Sequence, residues 1–266
     1  YTRVIVWFQG VEPEESYMNH KSILRYFILS LMERFILKKA YFCIFVSEEM
    51  KRHYEKKYYI TFDKDEYYCM PCMNTEIHPT AFDDSKKYSN NYFAYIGSLA
   101  VWQRFEDIVY IYKCIEDSGI PNCKLLVYTP QKKEAETIIE KYGVKNYYVD
   151  YVDNQDLPIR LREAKYGFII RDNTTVNRVA TPTKISTYLS CGLIPIYSEC
   201  IKDFADVARN MKYVVQYDSQ YIDRIKNMSS CSINASDILM EYSKVFSTYY
   251  SPEYHVNHLR RMLDDI

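Results

Sequence analysis

Residues 93–105 read Phe-Ala-Tyr-Ile-Gly-Ser-Leu-Ala-Val-Trp-Gln-Arg-Phe. Ile108, Val109, Tyr112 and Ile115 follow at helical spacing, and then Lys124-Leu125-Leu126-Val127-Tyr128 forms a second apolar run. A continuous apolar run of this length, closed by a glycine, reads as a buried strand, and the i, i+3/i+4 recurrence predicts an amphipathic helix over 103–118. The same alternation continues toward the C-terminus. Helices are expected at 131–142, 155–165, 182–191 and 201–210, and strands at Asn146–Val149, Tyr166–Ile170, Leu193–Tyr197 and Tyr213–Gln216. Strands that are apolar throughout, rather than at alternate positions, must be covered on both faces. This predicts an α/β fold with a doubly wound, Rossmann-like parallel sheet.

Toward the N-terminus the pattern repeats on a smaller scale. Strand 3–8, a long helix near 20–38, strand 41–46, a basic helix near 48–57 and strand 67–70 are too few for a full sheet. They read as the later part of a second α/β domain, residues 1–78. The chain opens on Tyr1-Thr2-Arg3 with neither a methionine nor a signal peptide, as a fragment would. The segment 71–91 is polar, with Asp83-Asp84-Ser85-Lys86-Lys87 at its centre, and 79–91 is taken as the linker. Residues 92–235 form the larger domain. Residues 236–266 are helical apart from a break at Ser251-Pro252 and are expected to pack back toward the first domain.

Composition narrows the function classes. A formal charge of −1 supplies no field favouring nucleic acid. The 29 tyrosines against six glycines read as amphipathic filler. The eight cysteines include one CxxC, Cys69-Met-Pro-Cys72, with no second pair at zinc spacing, so a reduced, cytoplasmic chain with structural thiols is expected. Ile23–Leu37 is interrupted by Arg25, Glu33 and Arg34, so it is expected to be a buried helix; a helix lying on a membrane surface is the alternative. Lys51–Lys57 reads as a solvated helix face, with contact to anionic lipid as the alternative. His255 and His258, the one close pair among five histidines, read as surface residues.

Two features sit where doubly wound sheets bind ligands, at strand C-terminal ends. Gly97-Ser98 lets backbone approach a ligand ahead of a helix N-terminus. The second is Thr181-Pro182-Thr183-Lys184-Ile185-Ser186-Thr187-Tyr188-Leu189-Ser190-Cys191-Gly192. There Thr181 is expected to cap a helix, Pro182 to start it and Gly192 to end it. Free amides, hydroxyls and the Lys184 ammonium at one helix start suit a diphosphate. Arg171, closing strand 166–170, and Arg178 are further phosphate or sugar ligands, or else surface ion-pair partners.

"FAYIGSL" with "WQRFE", then "TPTKISTYLSCGLIPI", resembles the C-terminal domain of GT-B-fold retaining glycosyltransferases of the family 4 type, whose members read "KxxEYLxxGxPVI" at the second element. "VWFQGVEPEES", "FVSEEMKRHY" and "CMPCMN" resemble the later part of the matching N-terminal domain. The likeness runs from Val4 to about Gln216 and is most specific over 180–196.

The resemblance implies two facing Rossmann-like domains and a UDP- or GDP-linked sugar in the cleft as substrate. It also implies metal-independent transfer with retention and no separate cofactor. It places Lys184 and Arg171 in the catalytic role of stabilising the leaving diphosphate. Gly97, Ser98, Gln103, Arg178, Thr181, Pro182, Thr183 and Thr187 fall on the donor side, and Gln9, Gly10 and Glu14 on the acceptor side; from the residues alone, Glu14 and Glu15 read as helix-capping and solvated.

Val179 and Thr187 stand where the family carries two glutamates, and Ser98 and Gln103 where many members carry Arg and Lys. The implied function is a hexosyltransferase acting on a glycan or lipid-linked acceptor in bacterial surface-polysaccharide synthesis, in the cytoplasm or at the inner face of the membrane. The alternatives are a catalytically silent binding or assembly subunit, and a GT-B nucleotide-sugar epimerase.

Overall fold

A computed structural model describes residues 3–83 and 86–264. Asp84 and Ser85 of the expected linker, and residues 1, 2, 265 and 266, lie outside the described residues. The first unit runs β1 (Ile5–Phe8), α1 (Glu12–His20), α2 (Ile23–Lys39), β2 (Phe42–Phe45), α3 (Glu48–Tyr58) and β3 (Tyr67–Cys69). Its three strands are parallel in the order β1-β2-β3.

The second unit begins with β4 (Asn91–Ile96), α4 (Phe105–Asp117), β5 (Cys123–Tyr128), α5 (Lys132–Lys141), β6 (Tyr147–Asp150) and α6 (Leu157–Arg160). It continues through β7 (Tyr166–Ile169), α7 (Thr175–Val179), α8 (Thr183–Ser190), β8 (Ile194–Tyr197), α9 (Lys202–Ala208) and β9 (Val215–Gln216). Three helices close the chain: α10 (Tyr221–Ser230), α11 (Ala235–Phe246) and α12 (Pro252–Asp264).

The larger sheet is parallel throughout, in the order β6-β5-β4-β7-β8-β9. Strand order reverses between β4 and β7, and a crevice opens at the carboxyl ends of strands at such a switch point. The doubly wound expectation therefore holds. Its physical basis is visible in β7 and β8, where every residue is buried because helices cover both faces.

Tyr188 of α8 joins the layers: its ring packs on Gly167, and its hydroxyl accepts from Ile96 N at 3.2 Å and lies 3.3 Å from Ala94 O. An apolar core fills this unit, and a smaller one, built around Phe8, Phe45 and Tyr54, fills the first.

Several local expectations need correction. The single helix near 20–38 is two helices. Lys21 adopts a left-handed φ of 54°, and Ser22 restarts the chain as an N-cap accepting from Arg25 N. The helix over 155–165 shrinks to α6 and a 3₁₀ turn at Leu161–Glu163, because Ala164 must already be extended to enter β7. The helix of 103–118 starts at Phe105, after a 3₁₀ turn at Val101–Gln103 and Arg104 at φ 53°. Lys57 is no solvated lysine; it lies between Glu14 (2.9 Å) and Glu33 (2.9 Å), whose carboxylates outweigh burial and hold its pKa above the usual lysine value.

The two units meet through specific bonds. Ser47 Oγ donates to Val179 O at 2.7 Å, Cys72 N to Thr181 Oγ1 at 2.9 Å, and His78 N to Ser190 O at 2.9 Å. His255 is buried rather than at the surface, with Nδ1 2.8 Å from the Tyr68 hydroxyl. Burial pushes the Asp203 carboxyl up to about 6, against hydrogen bonds from the Tyr249 hydroxyl and the Glu48 backbone that favour its charge.

A carboxyl with a folded pKa above its unfolded one binds extra protons in the native state, so its contribution to stability falls as pH rises from about 4 to about 6. Asp203→Asn is expected to remove that part of the pH dependence. Denaturant titrations at both ends of the window check this: the variant's stability relative to wild type should be higher at the upper end than at the lower.

Candidate functional site

The carboxyl ends of β4 and β7 and the start of α8 converge at the switch point. Gly97 follows β4 directly, with φ +110°, and its amide extends the sheet ladder to Tyr128 O. Its missing side chain makes room for Lys184: a Cβ there would lie 3.1 Å from Lys184 Cε and 3.3 Å from Nζ. The Lys184 ammonium donates to Gln103 Oε1 at 2.5 Å and lies 4.3 Å from the centre of the Tyr95 ring. Arg171, at the end of β7, donates from Nη1 to Trp102 O at 2.6 Å.

Both cations are partly buried, enough to disfavour their charged forms. Burial lowers the Arg171 pKa; burial first, then the charge of Arg171, brings the Lys184 pKa well below the usual lysine value. Among the described residues neither side chain forms an ion pair, so two neighbouring positive charges stand without a counter-anion. Such an arrangement costs folding energy and is relieved by a bound anion.

Beside them lies a pocket of about 210 Å³ lined from both units. The first unit contributes Gln9, Glu15, Met18 and Asn19. The second contributes Trp102, Arg171, Val176, Asn177, Ala180, Thr181 and Pro182. No side chain caps α8, whose N-cap residue is Pro182. Thr181 is therefore not the expected cap; its Oγ1 accepts from Cys72 N and ties the pocket rim to the loop after β3. A larger groove, about 560 Å³ between Met211 and Met240, lies at the chain entering β9, the amino end of the sheet and away from this site.

The structure thus brings Arg171, Thr181 and Pro182 together with Gln9 in one pocket, and sets Lys184 beside it against both Gly97 and Gln103. Ser98 is exposed, and its carbonyl accepts from the Tyr95 hydroxyl at 2.5 Å. Thr183 is exposed, and Thr187 spends its hydroxyl on Thr183 O at 3.1 Å; neither lines the pocket. Arg178 also lies outside the pocket lining, bonded within its own segment to Asn173 (3.3 Å) and Thr175 (3.1 Å).

Glu14, expected on the acceptor side, does not line this pocket. It pairs with Lys57 and His53 beneath the loop, while Glu15 takes the capping role, accepting from Val11 N at 3.1 Å, and walls the pocket. Gly10 serves Glu15, since a Cβ there would collide with Glu15 Oε1. Val179 is buried in the first unit's core. Trp102 and Asn177 were missed by sequence reasoning; Trp102 sits inside the quoted "WQRFE" motif, which was the available signal.

No family model matches the chain, and no curated protein matches it. Solved structures do. A mutant of S. aureus TarM in complex with fondaparinux, α-GlcNAc-glycerol and UDP aligns over 88% of this chain and 46% of its own, with TM-score 0.65 and 10% identity. An α,α-trehalose-phosphate synthase (UDP-forming) from Burkholderia vietnamiensis aligns over 98% and 67%, with TM-score 0.64 and 9% identity. WaaG, a glycosyltransferase involved in lipopolysaccharide biosynthesis, aligns over 94% and 72%, with TM-score 0.62 and 14% identity. The chain spans about half the length of the TarM structures it matches. Its α/β architecture of parallel sheets matches the GT-B glycosyltransferase fold of these structures.

Proposed function

We propose that this chain moves a hexose or related sugar from a UDP- or GDP-linked donor to a glycan or lipid-linked acceptor, with retention, in the manner of the family 4 retaining enzymes. The setting we assign is bacterial surface-polysaccharide synthesis at the cytoplasmic side of the membrane. One observation carries the reading: Arg171 and Lys184 are partly buried, adjacent and without a counter-anion at the switch point of the sheet. A nucleoside diphosphate supplies the missing negative charge. As the glycosidic bond breaks, charge grows on that diphosphate, and pre-placed cations stabilise it without reorganising. The uncapped amides of α8 add fixed dipoles of the same sign.

The pocket beside the cations takes the sugar end, with Trp102 as an apolar wall and Gln9, Asn177 and Glu15 as hydrogen-bonding groups. Retention then rests on holding donor and acceptor in register rather than on a protein nucleophile. The resemblance of the α8 segment and the UDP named in the TarM complex support this reading.

UDP and GDP titrations followed by thermal unfolding test it. Saturating nucleotide at about 100 times its Kd should add about 2.7 kcal/mol of stability, a rise of several degrees for a chain of this size. At a pH high enough for the free Lys184 to begin losing its proton, binding should also take a proton up. The free Lys184 has a lowered pKa, and a bound diphosphate restores it, so affinity falls as pH rises through the free value. Calorimetry in buffers of different ionisation enthalpy measures that uptake. Absence of saturable nucleotide binding would remove the donor reading. Binding without turnover on any acceptor would leave a silent binding subunit, and conversion of donor alone would leave an epimerase.

A further inference from the structure

Helix α2 stands with its apolar side outward. Its single acid, Glu33, is buried and turned inward, accepting from Lys57 Nζ at 2.9 Å and from the Tyr58 hydroxyl. Leu37 is buried on the same side. Opposite them, Ile23, Leu24, Phe27, Leu31, Met32 and Phe35 are each more than half exposed. At 3.6 residues per turn these six span about half the circumference. This contradicts the expectation of a buried helix over Ile23–Leu37. A contiguous exposed apolar surface of this kind marks a contact site rather than ordinary surface.

The charges say what covers it. Arg25 and Arg34 fall near the two edges of the apolar arc, and Lys38 and Lys39 close the helix; all four are exposed. Among the described residues α2 exposes no carboxylate. A second copy docked on this face would bring cations against cations and leave them unpaired. Anionic headgroups answer them directly, because arginine stems lie along an apolar surface while the guanidinium reaches the interface. No helix among the described residues is long and apolar enough to cross a membrane, and α2 has 17 residues, about 25 Å of helix.

We propose that α2 docks the protein on an anionic lipid surface, lying in the plane of the interface with its Leu24–Leu31–Phe35 side among the acyl chains. The neighbouring α1 supplies Glu15, Met18 and Asn19 to the pocket and packs on α2 through Tyr17 and Tyr26, whose rings are 6.0 Å apart. Docking therefore holds one wall of the pocket about 10 Å, one helix diameter, from the lipid. The docking itself is independent of the donor reading, and its test needs no nucleotide.

Co-sedimentation with vesicles of phosphatidylcholine alone, and of phosphatidylcholine mixed equally with phosphatidylglycerol, tests it. The protein is compared with Leu31→Ser/Phe35→Ser and Arg25→Gln/Arg34→Gln variants. Thermal unfolding verifies that both variants are folded, and light scattering without lipid follows the oligomeric state. The protein should partition onto the mixed vesicles and much less onto phosphatidylcholine. The apolar variant should bind about a hundredfold more weakly, about tenfold per side chain. The charge variant should lose about fivefold per cation and much of its salt sensitivity. Three results would each overturn the proposal: no partition onto either vesicle, equal partition onto both, or unchanged partition of the apolar variant. An α2 already covered by another segment or by a second copy falls in the first case, and an oligomer dispersed by Leu31→Ser/Phe35→Ser identifies the copy.

Discussion

Lys184→Ala is expected to lower turnover by about two to three orders of magnitude while leaving the protein folded. The expectation rests on where the ammonium sits. It lies under Gly97, against the Tyr95 ring, and within Coulomb reach of Arg171, in a setting that disfavours its charge until an anion arrives. In the absence of nucleotide, alanine removes a partly buried cation and its repulsion with Arg171, so the melting temperature should hold or rise. In the presence of saturating UDP, the variant should show a smaller thermal shift than wild type. A group retained for function at a cost in stability gives this pair of outcomes, and a merely structural lysine gives the reverse. Steady-state turnover and thermal unfolding with and without UDP measure both. Near-wild-type transfer by the variant would take Lys184 out of the mechanism.

Gly167→Ala should cost about 3 kcal/mol or more, the upper end of what overpacking a rigid core produces. An added Cβ on β7 would sit 2.5–2.7 Å from three ring carbons of Tyr188. The ring has nowhere to go: it is fully buried, and its hydroxyl is fixed between β4 and β7. Tyr188 is one helical turn from Lys184, so relief of the clash would shift α8 and the cation it carries. The variant should melt roughly 6–12 °C lower, at about 2–4 °C per kcal/mol for a domain of this size, and bind UDP more weakly. If the clash is the cause, Tyr188→Leu added to Gly167→Ala should cost less than the sum of the two single changes.

The doubly wound sheet was readable because its strands are short, apolar throughout and separated by strongly periodic helices. Phe93–Ile96, Tyr166–Ile169 and Leu193–Tyr197 leave no other consistent arrangement. The two cations were readable for a related reason, since each sits one or two residues beyond such a strand or at the start of such a helix.

What sequence could not show was which side chains turn away. Glu14 and Glu15 are adjacent in sequence and one helical step apart, and only packing against α3 decides that Glu14 meets Lys57 while Glu15 faces the pocket. Gln103 and Lys184 lie 81 residues apart, so their bond has no local signature. For α2, apolar residues surround most of the helix, and periodicity alone did not say which arc would be hidden. One acid, Glu33, decides it by requiring Lys57.

The seam between the two units has a consequence for how such a chain can drift. Ser47 reaches the main-chain carbonyl of residue 179, and Thr181 receives the main-chain amide of residue 72. On one partner of each bond the side chain is irrelevant. The bonds themselves ask only for a carbonyl at 179 and an N–H at 72, although burial of Val179 in the first unit's core keeps that position apolar, whereas 47 and 181 must keep a hydroxyl. The closure of the two lobes therefore tolerates another apolar residue at 179 and resists an acidic one, which would be buried there without a counter-charge.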